Sequence, residues 1–130
     1  QLTMIQAVEI SGAIIVTTPQ DVAVIDAVRG VEMFLKLDVP LLGIVENMSY
    51  FVLPDESHAH PFGEGGGYTT ALRYQIPMLC QLPLDERIRL GCDLGAPAVL
   101  SEEEFATPFM ELASQVVQQL PAATSMQEST

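Results

Sequence analysis

Cationic side chains are scarce in this sequence. Five Lys and Arg stand against seventeen Asp and Glu in 130 residues, a net charge of −12 with neutral histidines. Nucleic-acid binding relies on cations at the phosphates, so this balance argues against it. It argues equally against an anionic membrane surface. The acids are scattered except for Glu102-Glu103-Glu104, which reads as a helix start, and solubility is their ordinary use. Cysteine is scarce too. Cys80 and Cys92 are too few for a disulfide framework and fit no zinc spacing, so a reducing, cytoplasmic setting is expected. No apolar run approaches the roughly 18 residues of a membrane span. The opening Gln1-Leu2-Thr3 has neither an initiator Met nor the basic segment of a secretion signal, and reads as a point within a longer chain.

Apolar residues are plentiful, at 48%, and the length suits one domain. Residues 13–17 (Ala-Ile-Ile-Val-Thr) form an unbroken, β-branched run, as expected of a strand covered on both faces. A helix is predicted next, with Thr18 as cap, Pro19 in the first position and Asp21 as the capping-box acid. Val24, Val28, Val31 and Leu35 follow at helical spacing, with Glu32 and Lys36 one turn apart.

Pro40 opens a second strand over 41–45, and Pro77 a third over 78–82. Between them lies a long, turn-rich excursion beginning at Glu46-Asn47, then a short helix over 68–74. A further short helix is expected over 85–90, closed by a turn at Gly91 to Gly95. A last helix follows Ser101, with Phe105, Phe109, Leu112, Val116 and Leu120 on one stripe, and Pro108 kinking it or delaying its regular start. Residues 121–130 read as a disordered tail. Strands alternating with helices predict an α/β fold, a parallel sheet flanked by helices.

Ligands of such sheets bind beyond the carboxyl ends of the strands. Three segments leave those ends here: 17–21, 46–50 and 83–87. Gly63-Glu64-Gly65-Gly66-Gly67 resembles a phosphate cradle. It fails the dinucleotide pattern at Tyr68, and it fails the P-loop because the single lysine, Lys36, precedes Leu37. A flexible entry to the next helix is the stronger reading. His58 and His60 are read as solvated loop histidines, and neither Ser49 nor Ser57 has a nucleophile-elbow context. Cys80 reads as a small core residue and Cys92 as a turn residue. Asn47 carries donors and an acceptor at a strand's carboxyl end, so it can read a purine edge or cap the turn. The spacing leaves both open.

Taken in order, TTPQDVAVIDAVRGVEMF, VPLLGIVENMSYFV, FGEGGG, IPMLCQLPLDERIR and GCDLGAPAV closely resemble the Mrp/ApbC family. These are deviant-Walker P-loop ATPases related to MinD and ParA and associated with iron–sulfur cluster carrying. The likeness is close over residues 1–100 and looser in the last helix. It implies the C-terminal half of a P-loop NTPase-like doubly wound fold over 1–120, with ATP and Mg in the intact protein. It places Asn47 near the adenine and Pro83, Leu84 and Asp85 in the loop that closes over the base. Thr18-Pro19-Gln20 would border the nucleotide and a homodimer interface, and an iron–sulfur client protein would be the partner.

Two departures qualify the likeness. The family's Gly-Lys-Thr phosphate loop and magnesium-site aspartate would lie upstream of Gln1, so the 130-residue chain is not expected to hydrolyse ATP by itself. The family's Cys-Pro-x-Cys reads Leu53-Pro54-Asp55-Glu56, so no cluster is expected at that loop. A non-catalytic MinD/ParA-like adaptor is the alternative function. A flavodoxin-like module is a weaker one, for want of a phosphate-binding loop.

Overall fold

The computed structural model describes residues 2–101 and 103–120; the expected tail at 121–130 lies outside them. The elements run α1 (Leu2–Ala7), β1 (Ala13–Thr17), α2 (Asp21–Lys36), β2 (Leu41–Val52), β3 (His58–Ala59), α3 (Gly66–Tyr74), β4 (Met78–Pro83), α4 (Glu86–Asp93) and α5 (Glu103–Gln119), with a 3-10 turn at Ala98–Leu100 before α5.

β2 is central. β1 pairs with it in parallel on one side and β4 in parallel on the other. β3 adds a short antiparallel ladder at its far end, Phe51 opposite Ala59 and Val52 opposite His58. The unbroken apolar run of β2 follows from burial on both faces; β1, expected to be covered likewise, leaves Val16 62% exposed. Ile15 and Ile44 face α2 and α3, where Ala27, Val31, Ala71 and Ile76 complete one core cluster. The alternate residues Ile14 and Val45 face the opposite way, packing with Leu79, Leu82 and the α5 stripe Phe109, Leu112 and Val116. One strand thus serves two cores, and the sheet is flanked by helices as expected.

Several local expectations need correction. β2 does not stop at Val45 but runs to Val52, because Tyr50 pairs with Pro83 and Phe51 with Ala59. The register shifts between Glu46 and Tyr50, and Met48 takes a positive φ of 53° there. The polar excursion therefore begins at Leu53. Thr18 does not cap α2: its hydroxyl turns to the Gln20 side chain at 3.3 Å, and Gln20 precedes the first helical residue, Asp21. Leu35 lies outside the buried stripe at 51% exposed, and Phe34 packs on the core instead. α3 starts two residues early, at Gly66. α4 runs through Gly91 to Asp93, so Cys92 sits on a helix and not in a turn. α5 contains Pro108 without a delayed start, and Leu120, the last residue of its predicted stripe, is 37% exposed.

Candidate functional site

A carboxylate organises the strands' carboxyl ends. Glu46 follows the apolar run of β2 and lies in register with Thr17 of β1 and Gln81 of β4. It is 1% exposed. An isolated buried carboxylate would be strongly unfavourable, so its acceptor sites must be filled. Oε1 accepts the Ser49 hydroxyl at 2.6 Å and the Gln81 amide at 3.4 Å. Oε2 accepts the backbone N–H of Gly67 at 2.8 Å.

The last contact explains the glycine cluster. Gly65 sits at the start of α3 with φ +82°, and no side chain of its own caps the helix. Glu46 supplies that cap from across the fold, where an anion also complements the helix N-terminus. A Cβ on Gly67 would meet Glu46 Oε2 at 2.8 Å, so the close approach requires glycine. The cluster is a helix entry, as expected, but one held by a distant acid. Sequence reasoning gives Glu46 no role; the available signal was an acid placed directly after an apolar run, at a strand's carboxyl end.

The excursion returns in an ordered hairpin. Asp55 accepts the backbone N–H of Ser57 at 3.0 Å, and the Ser57 hydroxyl holds its carboxyl below the ordinary value of 3.8. His58 stacks on Tyr50 with ring centroids 4.2 Å apart. His60 Nδ1 lies 3.1 Å from the Ser49 carbonyl and Nε2 lies 3.5 Å from Glu64. Both histidines are solvent-exposed, as expected of loop residues, yet each also makes a local contact. Among the described residues, no three His, Cys, Asp or Glu gather to hold a metal ion.

Asn47 is half-buried beside Glu46. Its Oδ1 accepts the backbone N–H of Met48 at 2.9 Å, which is the turn-capping role. The residue also lines a cleft of about 220 Å³ with Thr17, Thr18, Ala23 and Asp26, at the carboxyl ends of β1 and β2. Pro83, Leu84 and Asp85 lie on the other flank of β2. Pro83 is buried, and the Leu84 N–H donates to the Tyr50 carbonyl at 2.7 Å. Asp85 caps α4, accepting the Arg87 N–H at 2.9 Å. The expected base-binding residues thus share one end of the sheet, Asn47 on the central strand and the other three at and beyond the end of the neighbouring β4. Lys36, in the last turn of α2, stands at the far end of that helix from Thr17 to Asp21.

The family described as ParA, NUBPL iron-transfer P-loop NTPase, matches residues 1–120. The iron-sulfur cluster carrier protein of Deinococcus radiodurans is 52% identical over 105 residues, covering 80% of this chain and 29% of its own length. The mouse iron-sulfur cluster transfer protein NUBPL is 42% identical over 126 residues, 95% of this chain and 40% of its own. A nucleotide-binding protein from Archaeoglobus fulgidus, solved in complex with ADP, superposes with a TM-score of 0.64 at 34% identity. That match covers 73% of this chain and 40% of the solved one. The chain thus spans well under half the length of these relatives.

Proposed function

This chain belongs to the NUBPL iron-transfer P-loop NTPase family, and from that premise we propose that it forms the base-facing part of a Mrp-type ATP-binding protein that carries iron–sulfur clusters. The observation that carries this reading is Asn47, half-buried over a cleft at the carboxyl ends of β1 and β2. That is where open parallel sheets bind ligands. A carboxamide offers the donor and acceptor that an adenine edge requires.

The residues around this cleft suit a base better than phosphates. Lys36 lies at the wrong end of α2 to reach a nucleotide there, and positioning of the β- and γ-phosphates with Mg is what phosphoryl transfer depends on. In this reading, the remainder of the intact protein supplies the phosphate loop and the magnesium site. Pro83, Leu84 and Asp85 close over the base, held by the Tyr50 carbonyl and by the α4 cap.

The intact protein then works as a homodimer that engages an iron–sulfur client protein in the cytoplasm, where Cys80 and Cys92 stay reduced. Both thiols are free. Self-association of the isolated chain is part of the same reading. Among the described residues β1 pairs only with β2, and Val16 on it is 62% exposed. Beside it runs an apolar groove of about 640 Å³. Such an edge and groove call for a cover.

The test is ATP binding by the intact protein. Asn47→Ala weakens it by about 1–3 kcal/mol, the range for leaving a buried polar partner unpaired, and costs less than that in stability without nucleotide, where the Met48 N–H loses its acceptor. Unchanged affinity would leave Asn47 as a turn cap alone.

A further inference from the structure

Arg87 links the Pro83–Asp85 segment to the last described helix, α5. The Arg87 guanidinium clasps the Asp85 carboxylate with two parallel bonds, Nε at 3.0 Å and Nη2 at 2.9 Å. The Arg87 carbon at the centre of that guanidinium lies 4.7 Å from the ring centroid of Phe105 on α5, and Phe105 is itself 3% exposed. Its remaining terminal nitrogen, Nη1, pairs with Glu104, again on α5. An exposed ion pair alone contributes little. Here a fork, a ring face and a second carboxylate converge on one planar group, which fixes orientation as well as charge. The Tyr50 carbonyl holds the other end of the segment through Leu84.

We propose that Arg87 is the positioning residue of the base-closing loop, fastening Leu84–Asp85 to α5 so that docking of this last helix sets the affinity for the base. The inference rests on the reading that this loop faces adenine. Arg87 touches no nucleotide in it; it acts through Asp85. Lysine cannot replace it, because an ammonium is a point charge with neither the fork nor the flat face.

The experiment uses the intact protein, titrated with ATP and with inorganic triphosphate, which carries no base. In Arg87→Lys, ATP affinity falls about five- to tenfold, equivalent to roughly 1–1.4 kcal/mol, and triphosphate affinity does not move. Glu104→Gln, which leaves the Asp85 clasp in place, gives a smaller loss in the same direction. Parental ATP affinity in Arg87→Lys would overturn the proposal, as would an equal loss for both ligands, which would mark general loosening. Failure of the base reading looks different: the parental protein would bind ATP no better than triphosphate, and the proposal would fall with it.

Discussion

Oε2 of Glu46 accepts the backbone N–H of Gly67 at 2.8 Å across 21 residues of chain. Between them lie the end of β2, the turn at Leu53, the short β3 and the glycine entry to α3. The contact closes that loop at its base, while Ser49 and Gln81 occupy the other carboxylate oxygen. A buried acid here ties the outgoing strand, the returning helix and β4 to one point.

Removing that point should be severe. Glu46→Ala leaves the Gly67 N–H and its neighbours unpaired in the interior and lowers stability by about 2–4 kcal/mol. Glu46→Gln costs less, because one acceptor survives. Gly67→Ala is also destabilising, since its Cβ would meet Oε2 at 2.8 Å, and its cost shrinks in the Glu46→Ala background. Denaturant titration of the four proteins in this cycle is the measurement. Strict additivity would disprove the coupling.

The Asp85–Arg87 clasp gives a pH dependence of known sign. Arg87 holds the Asp85 carboxyl below its ordinary 3.8, chiefly through the side-chain hydrogen bond. A group whose folded value is depressed contributes fully above its unfolded value and loses that contribution as pH falls through the folded one. Asp85→Asn should therefore trail the parent by a constant margin, under about 1 kcal/mol for so accessible a pair, from neutral pH down to about 4. The margin should close in stronger acid. A gap that widens on acidification would contradict the assignment.

The strands of the sheet are readable from their apolar runs: burial on both faces explains the run at 42–45, while β1 carries the same signature although its Val16 is 62% exposed. β2 was readable only as far as Val45. Its second half is written in polar residues, and it is a strand because Tyr50 and Phe51 find partners at Pro83 and Ala59. Glu46 escaped notice for the same reason: its partners Gly67 and Gln81 lie 21 and 35 residues away. Local spacing carries no trace of such contacts. Family resemblance and the carboxyl-end rule both point to Asn47, Pro83, Leu84 and Asp85, but neither reveals that Asn47, on β2 itself, lines a cleft on the β1 side while Pro83 to Asp85 lie on the β4 side.

The two thiols should differ in reactivity. Cys92 is exposed on α4. Cys80 is half-buried in β4, and burial, followed by the charge of Glu111, pushes its thiol above the ordinary 9.0. Since the thiolate is the reactive form, Cys80 should alkylate about tenfold or more slowly at pH 8. Timed labelling read by peptide mass spectrometry decides it. Equal rates would mean that β4 opens freely on that timescale.

The final prediction concerns what the tip of the excursion can hold. The resemblance to the Mrp/ApbC family would put its cysteine pair at Leu53 and Glu56. They are the first and last residues of a tight turn: the Glu56 N–H donates to the Leu53 carbonyl at 2.9 Å, and the Leu53 N–H donates to Ser57 at 2.8 Å. Thiolates at these positions would stand side by side, and two copies would present four. Leucine cannot ligate iron, and glutamate is a hard oxygen donor poorly matched to a cluster. Neither imidazole makes good the loss, since His58 is stacked on Tyr50 and His60 is turned between Ser49 and Glu64. Anaerobic reconstitution of the intact protein with iron and sulfide should therefore give no stable cluster absorbance from this loop. Leu53→Cys with Glu56→Cys should restore it together with a larger dimer fraction. A parental cluster that disappears in His58→Ala/His60→Ala would overturn the prediction. One that disappears in Cys92→Ser would place the ligands on α4.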